Sequence, residues 1–139
     1  MSRKLFLTLF ILFILCFITF VFARTRGVNV YQFQKFINNA DYALVDVRSE
    51  QEYIGGHIPG SIHADMYDSS FGDIIVSQIP KDKKILVYCY SGARSARSMK
   101  SIEKLGYSEV INLSGGIRAW SSAGKPVERG SKRIERTDL

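Results

Sequence analysis

Chemistry in this chain would turn on Cys89. It ends the apolar run "ILVYC" and opens "CYSGARS", so Gly92, Arg94 and Ser95 follow it at the third, fifth and sixth positions. A thiolate is a strong nucleophile, but an ordinary cysteine ionises only near about pH 8.5 and needs donors or cations to do so lower. If Tyr90, Ser91, Gly92, Ala93, Arg94 and Ser95 curl into a semicircle ahead of a helix, their backbone N–H groups face inward as an anion nest. The positive end of the helix dipole then adds to it. Gly92 supplies the backbone freedom for the curl. Arg94 is expected to lower the thiol pKa further and to attract an anionic substrate. Such a nucleophile needs no histidine base. The competing reading is a buried thiol finishing a strand, since cysteine is among the most buried residue types. Glycine, arginine and serine together favour the cradle.

The surrounding elements must place that loop at the end of a strand. "ILVYC" is the strongest buried strand, and "SARSMKSIEKLGY" places Ala96, Met99, Ile102 and Leu105 on a helical face ending near Gly106. Upstream, Val30, Phe33 and Phe36 recur at helical spacing before Asn38 and Asn39, and "YALVDVR" reads as a second buried strand. "SEQEYIGGHIPGSIHADM" gives a helical turn, a loop and a short strand. "DSSFGDIIVSQI" gives a helix capped by Asp68 or Ser69 with Phe71, Ile74, Ile75 and Ile79 inward. "SEVINLSGGIRAWSSAGKPV" adds a strand, a glycine turn and a short helix. Strands alternating with helices over short loops imply an α/β domain whose parallel sheet is covered on both faces. Open sheets of this kind carry their chemistry at the carboxyl ends of the strands, where Cys89 lies.

Residues 1–26 stand apart. "LFLTLFILFILCFITFVF", Leu5 to Phe22, is unbroken by any charge and is flanked by Arg3, Lys4, Arg24 and Arg26. At about 1.5 Å per residue it approaches the roughly 30 Å of a bilayer core. Val21 and Ala23 would also suit a cleavage site. The expectation is one N-terminal transmembrane or signal helix, with the basic N-terminus inside and the domain membrane-anchored outside the cytoplasm, or periplasmic or secreted if the segment is cleaved. Residues 27–126 form the domain, and 127–139 read as a flexible charged tail.

The net charge of +6 does not indicate nucleic acid. Residues 27–124 carry ten Lys/Arg and ten Asp/Glu, and the excess lies at the apolar segment's flanks and in the tail. Cys16 lies in the apolar segment and Cys89 is alone in the domain. With His57 and His63 as the domain's only histidines, neither an intradomain disulfide nor a metal site is expected.

The motifs together resemble the rhodanese family. "CYSGARS" is similar to its active-site loop, "LVDVRSEQEYIGGHIPGSIH" to its N-terminal signature, and "LSGGIRAW" to its C-terminal signature, over about residues 27–126. The resemblance implies a domain of roughly five parallel strands. It also implies a thiosulfate sulfurtransferase activity in which Cys89 carries sulfur as a persulfide, stabilised by Tyr90 to Ser95. The partners would be a small-molecule sulfur donor and a thiol or cyanide acceptor, without metal or organic cofactor. Asp46 and Arg48 are expected to pair and brace a strand end, His57 to hydrogen-bond a turn, and His63 to stand partly buried in support. Gly115 and Gly116 are expected to turn the chain beneath the active-site helix, and Trp120 to fill core. Two alternatives stand beside this reading: a non-catalytic binding module at the membrane, and a cysteine-dependent phosphatase or arsenate reductase. Phosphatase loops place five residues between cysteine and arginine where this chain has four, a smaller ring that suits a single sulfur atom.

Overall fold

The computed structural model describes residues 3–22 and 25–130, without the side chains of residues 15–25. Five strands form one parallel sheet: β1 Thr25–Val28, β2 Tyr42–Asp46, β3 Ile62–His63, β4 Lys84–Tyr88 and β5 Val110–Leu113, in the order β1-β5-β4-β2-β3. Parallel pairing puts all carboxyl ends at one edge, where Asp46 is opposite both His63 and Tyr88, and Val87 is opposite Asn112. Cys89 therefore leaves the central strand with a neighbour on each side.

The apolar runs are continuous because both sheet faces are covered. On one face Val45, Val47, Ile85, Val87 and Val110 pack with Phe71, Ile75, Met99 and Ile102 of α4 (Phe71–Gln78) and α5 (Ala93–Lys104). On the other, Leu44, Leu86, Tyr88, Ile111 and Leu113 meet Phe33 of α2 (Val30–Ile37) and Ile117 and Trp120 of α6 (Gly116–Ser122). Trp120 is core, as expected, edge-on to Phe33 and donating its indole N–H to Pro126 O at 2.8 Å.

Three local expectations are revised. Neither Asp68 nor Ser69 is the N-cap of α4. Ser70 is, and the Asp68 carboxylate turns back to accept from its N–H and hydroxyl. Second, α5 turns Ser95 and Ser98 inward with Met99 and Ile102 and leaves Ala96 exposed. Third, the tail is anchored at its start. Glu128 exchanges backbone hydrogen bonds with His57, and Gly130 N–H donates to Ile54 O at 2.8 Å. The remainder of the expected tail, 131–139, lies outside the described residues.

The N-terminal segment is helical, α1 Arg3–Phe22, with the apolar side chains of Leu5–Ile14 exposed. Among the described residues no helix is long and apolar enough to cross a membrane, the side chains of 15–22 being outside them. The expected cleavage flank at Ala23 and Arg24 is also outside the described residues.

Candidate active site

The loop between β4 and α5 closes around Cys89 Sγ. Gly92 N–H donates to the sulfur at 3.1 Å and the Ser95 hydroxyl lies 3.3 Å from it. Cys89 itself is 1% exposed, so both readings of this residue hold at once: it is packed into the core and cradled by donors. Burial pushes the thiol pKa up. The Ser95 hydroxyl and the N–H groups of Ser95, Gly92 and Ser91 outweigh that and bring it below the ordinary value.

Two constraints shape the curl. Gly92 has φ of 95°, in the left-handed region, and a Cβ there would stand 3.0 Å from Leu113 O. At Gly116 a Cβ would collide with the carbonyl oxygens of Cys89 and Tyr90. The absence of that carbon lets α6 approach, so that Ile117 N–H donates to Cys89 O at 2.9 Å and Arg118 N–H to Tyr90 O at 3.1 Å. With those carbonyls held outward by α6, the N–H groups that follow are left for the sulfur. Gly115, also at positive φ, is the N-cap of α6 and makes the turn expected of it.

Arg94 has a partner beyond the one expected: its pKa is raised chiefly by the hydrogen bond to Glu52, with the charge of the Cys89 thiolate adding to it, so the expected attraction to the sulfur stands beside an ion pair. Its guanidinium grips Glu52 through two bonds of 2.7 and 2.8 Å, and the hydrogen bonds that lower the thiol pKa come from Ser91, Gly92 and Ser95. The Arg94 hydrogen bond holds the Glu52 carboxyl down at about 2, against burial that would raise it. Glu52 also accepts from Ser49 N–H and hydroxyl in the capping box of α3 (Glu50–Gly55), so the cap of one helix steadies the first turn of another. Tyr90 and Ala93 complete the curl, with Tyr90 51% exposed.

Asp46 and Arg48 form the bracing pair. The carboxylate takes both the Arg48 guanidinium, at 2.6 Å, and its backbone N–H, while the guanidinium also reaches Gly56 O at 2.7 Å. His57 stacks on Tyr53 at 3.8 Å and has Tyr53 O and the Glu128 carboxylate within hydrogen-bonding distance, a bracing position in the turn. His63 Nε2 lies 2.7 Å from Arg48 O. These groups brace the loop ends beside Cys89.

Sequence reasoning missed Asn112 and Glu52. Asn112 is buried in β5; its carbonyl oxygen accepts from the Ser95 hydroxyl at 2.7 Å and its amide donates to Gly92 O at 3.1 Å. It thus ties down the cradle at its middle, Gly92, and at its last residue, Ser95. The available signal was an amide between apolar neighbours in a strand covered on both faces, where a buried polar group must find partners.

Comparison with known proteins agrees with this geometry. The rhodanese-like domain profile matches residues 29–123. A protein named Sulfurtransferase from Allochromatium vinosum is 38% identical over 94 residues, which cover 68% of this chain and 85% of that one. The probable adenylyltransferase/sulfurtransferase MoeZ of Mycobacterium tuberculosis is 35% identical over 86 residues, which cover 60% of this chain but 21% of that larger protein. A rhodanese-like domain protein from Staphylococcus aureus superposes with a TM-score of 0.63 at 25% identity, over 76% of this chain and 99% of that one. The chain belongs to the rhodanese-like domain family.

Proposed function

We propose that this chain is a sulfurtransferase that takes sulfane sulfur from a donor such as thiosulfate and passes it to a thiol or cyanide through a Cys89 persulfide. The observation that carries the reading is a buried sulfur cradled by hydrogen-bond donors, with its pKa brought down despite burial. The Cys89 thiolate attacks the outer sulfur of thiosulfate, a new S–S bond forms, and sulfite leaves with the electron pair of the broken bond. An acceptor thiol then attacks the outer sulfur, its proton stays with the new persulfide, and Cys89 leaves as thiolate. The compact cradle suits one sulfur atom better than a phosphoryl group. Relatives named as sulfurtransferases support the same class.

The proposal extends to placement. The uncharged apolar run Leu5–Phe22 between basic flanks, with apolar side chains exposed along Leu5–Ile14, supports an anchor in a bilayer, with the domain outside the cytoplasm. The decisive experiment is intact-mass analysis of the full chain in detergent micelles. Thiosulfate should add one sulfur, cyanide or a small thiol should remove it, and Cys89→Ser should never acquire it. A wild-type chain that keeps its unmodified mass, with Cys89 shown free, ends the sulfurtransferase reading.

A further inference from the structure

A cleft of about 570 Å³ runs beside the cradle, between α3 and α6, with Tyr90, Glu52, Arg48, Arg118, Ser121 and Val127 among its walls. Cys89 is not in its lining, yet the walls are tied to the cysteine loop. Tyr90 is the next residue in the chain, Arg118 N–H holds the Tyr90 carbonyl at 3.1 Å, and Glu52 holds Arg94 at 2.7 Å. The volume lies in the range of sites for drug-sized molecules, enough for a few side chains of a peptide, and far exceeds what thiosulfate or cyanide needs.

Its charges are distributed unevenly. Arg48 is neutralised by Asp46, and Glu52 by Arg94. Arg118 has no carboxylate partner among the described residues and is exposed, so the cleft presents one uncompensated positive charge. The exposed Tyr90 ring, the Gly55 and Gly56 backbone and the Ser121 and Ser122 hydroxyls offer the mixed contacts a peptide uses. Since Cys89 is 1% exposed, it offers an acceptor almost no surface of its own, and an acceptor must be oriented by contacts outside the cradle.

We propose that this cleft is the acceptor site and that it selects an acidic peptide thiol, a cysteine carried beside carboxylates that pair with Arg118. The proposal rests on the sulfur-transfer reading above. The acceptor thiol attacks the outer sulfur, the bond from that sulfur to Cys89 Sγ breaks, and the peptide leaves as a persulfide carrying its own proton. No external oxidant or reductant enters.

The test uses the full chain in micelles at low ionic strength, with thiosulfate as donor and two peptide acceptors, acetyl-Cys-Glu-Glu and acetyl-Cys-Gln-Gln-amide. The KM for the neutral peptide should exceed that for the acidic one about fivefold, the scale of one exposed ion pair. Arg118→Ala should bring the ratio to about one, and Arg118→Glu should invert it. Lys104→Ala, which removes a charge from the far end of α5, should leave the ratio as in wild type. A ratio near one in wild type, or one that survives Arg118→Ala, overturns the proposal. Binding of the S-methylated acidic peptide to the uncharged chain, read by fluorescence anisotropy, separates the two readings. If thiosulfate never charges Cys89, sulfur transfer fails as the function, while Arg118-dependent binding still upholds the cleft as an acidic-peptide site. Binding indifferent to Arg118 overturns it.

Discussion

Replacing Ser95 by alanine should cost the thiolate its one side-chain donor. The hydroxyl lies 3.3 Å from Cys89 Sγ, 2.7 Å from the Asn112 carbonyl oxygen and 3.2 Å from Gly92 O, and it has a single proton for all three. With a neutral thiol the shorter contact to Asn112 wins; with a thiolate the proton turns to the sulfur. A hydrogen bond to a charged group is worth about 1.5–3 kcal/mol, and forfeiting the Asn112 bond puts this one at the low end. About 1.5 kcal/mol corresponds to a roughly tenfold smaller thiolate fraction below the thiol's pKa. The rate of iodoacetamide alkylation against pH measures that fraction directly, and charging by thiosulfate should slow in proportion. Asn112 loses a partner in the same variant, which costs about 1 kcal/mol of stability, so a urea titration must show the variant folded under the assay conditions. Arg94→Ala is the contrast, because its guanidinium is engaged by Glu52, and its profile should move less than that of Ser95→Ala. If the Ser95→Ala profile overlays wild type while Arg94→Ala moves tenfold, the cation activates the thiol and the donor argument is wrong.

The Glu52 carboxyl is held at about 2 against an ordinary 4.5, chiefly by the Arg94 hydrogen bond, so the folded chain binds this proton less readily than the unfolded one. Its contribution is full above about pH 4.5 and fades as pH falls toward about 2. Screening at this partly exposed site limits it to about 1–2 kcal/mol, and Glu52→Gln should flatten that stretch of the curve of urea midpoint against pH. Gly116→Ala should lose about 2–4 kcal/mol in denaturant titration and abolish persulfide formation, because the methyl group meets the Cys89 and Tyr90 carbonyls at a positive φ; full activity would show that α6 does not hold the loop. A C-terminal alkaline phosphatase fusion to the full chain should be active in a bacterial host. An inactive fusion beside a bright C-terminal green fluorescent fusion would sink the exported reading.

The scaffold of the site was legible and its wiring was not, for a physical reason. A strand covered on both faces must be apolar along its length, so Tyr42–Asp46, Lys84–Tyr88 and Val110–Leu113 stand out, and a cysteine after one of them is placed at the sheet's working edge before any fold is seen. Hydrophobic periodicity marks faces by what they bury, and α5 buries serines. Reading Ala96 with Met99 and Ile102 set the face one residue too far, because Ser95 and Ser98 turn inward toward partners rather than toward apolar contact. Pair identity is harder still. Glu52 is the third residue of a capping box after Ser49, a role that explains why a helix starts there and says nothing about Arg94, 42 positions away. The same holds for Glu128 and His57, separated by 71 positions, which is why the tail's first residues read as loose. Opposite charges within a motif invite the inference that they serve the nucleophile. Here Arg94 is tied to a carboxylate while it also feels the sulfur's charge, and the hydrogen bonds that lower the thiol pKa come from uncharged groups, a hydroxyl and backbone N–H groups. A cradle of neutral donors holds a compact anion without drawing other anions permanently onto the sulfur, and it leaves Arg118, outside the cradle, as the charge that an acceptor can read.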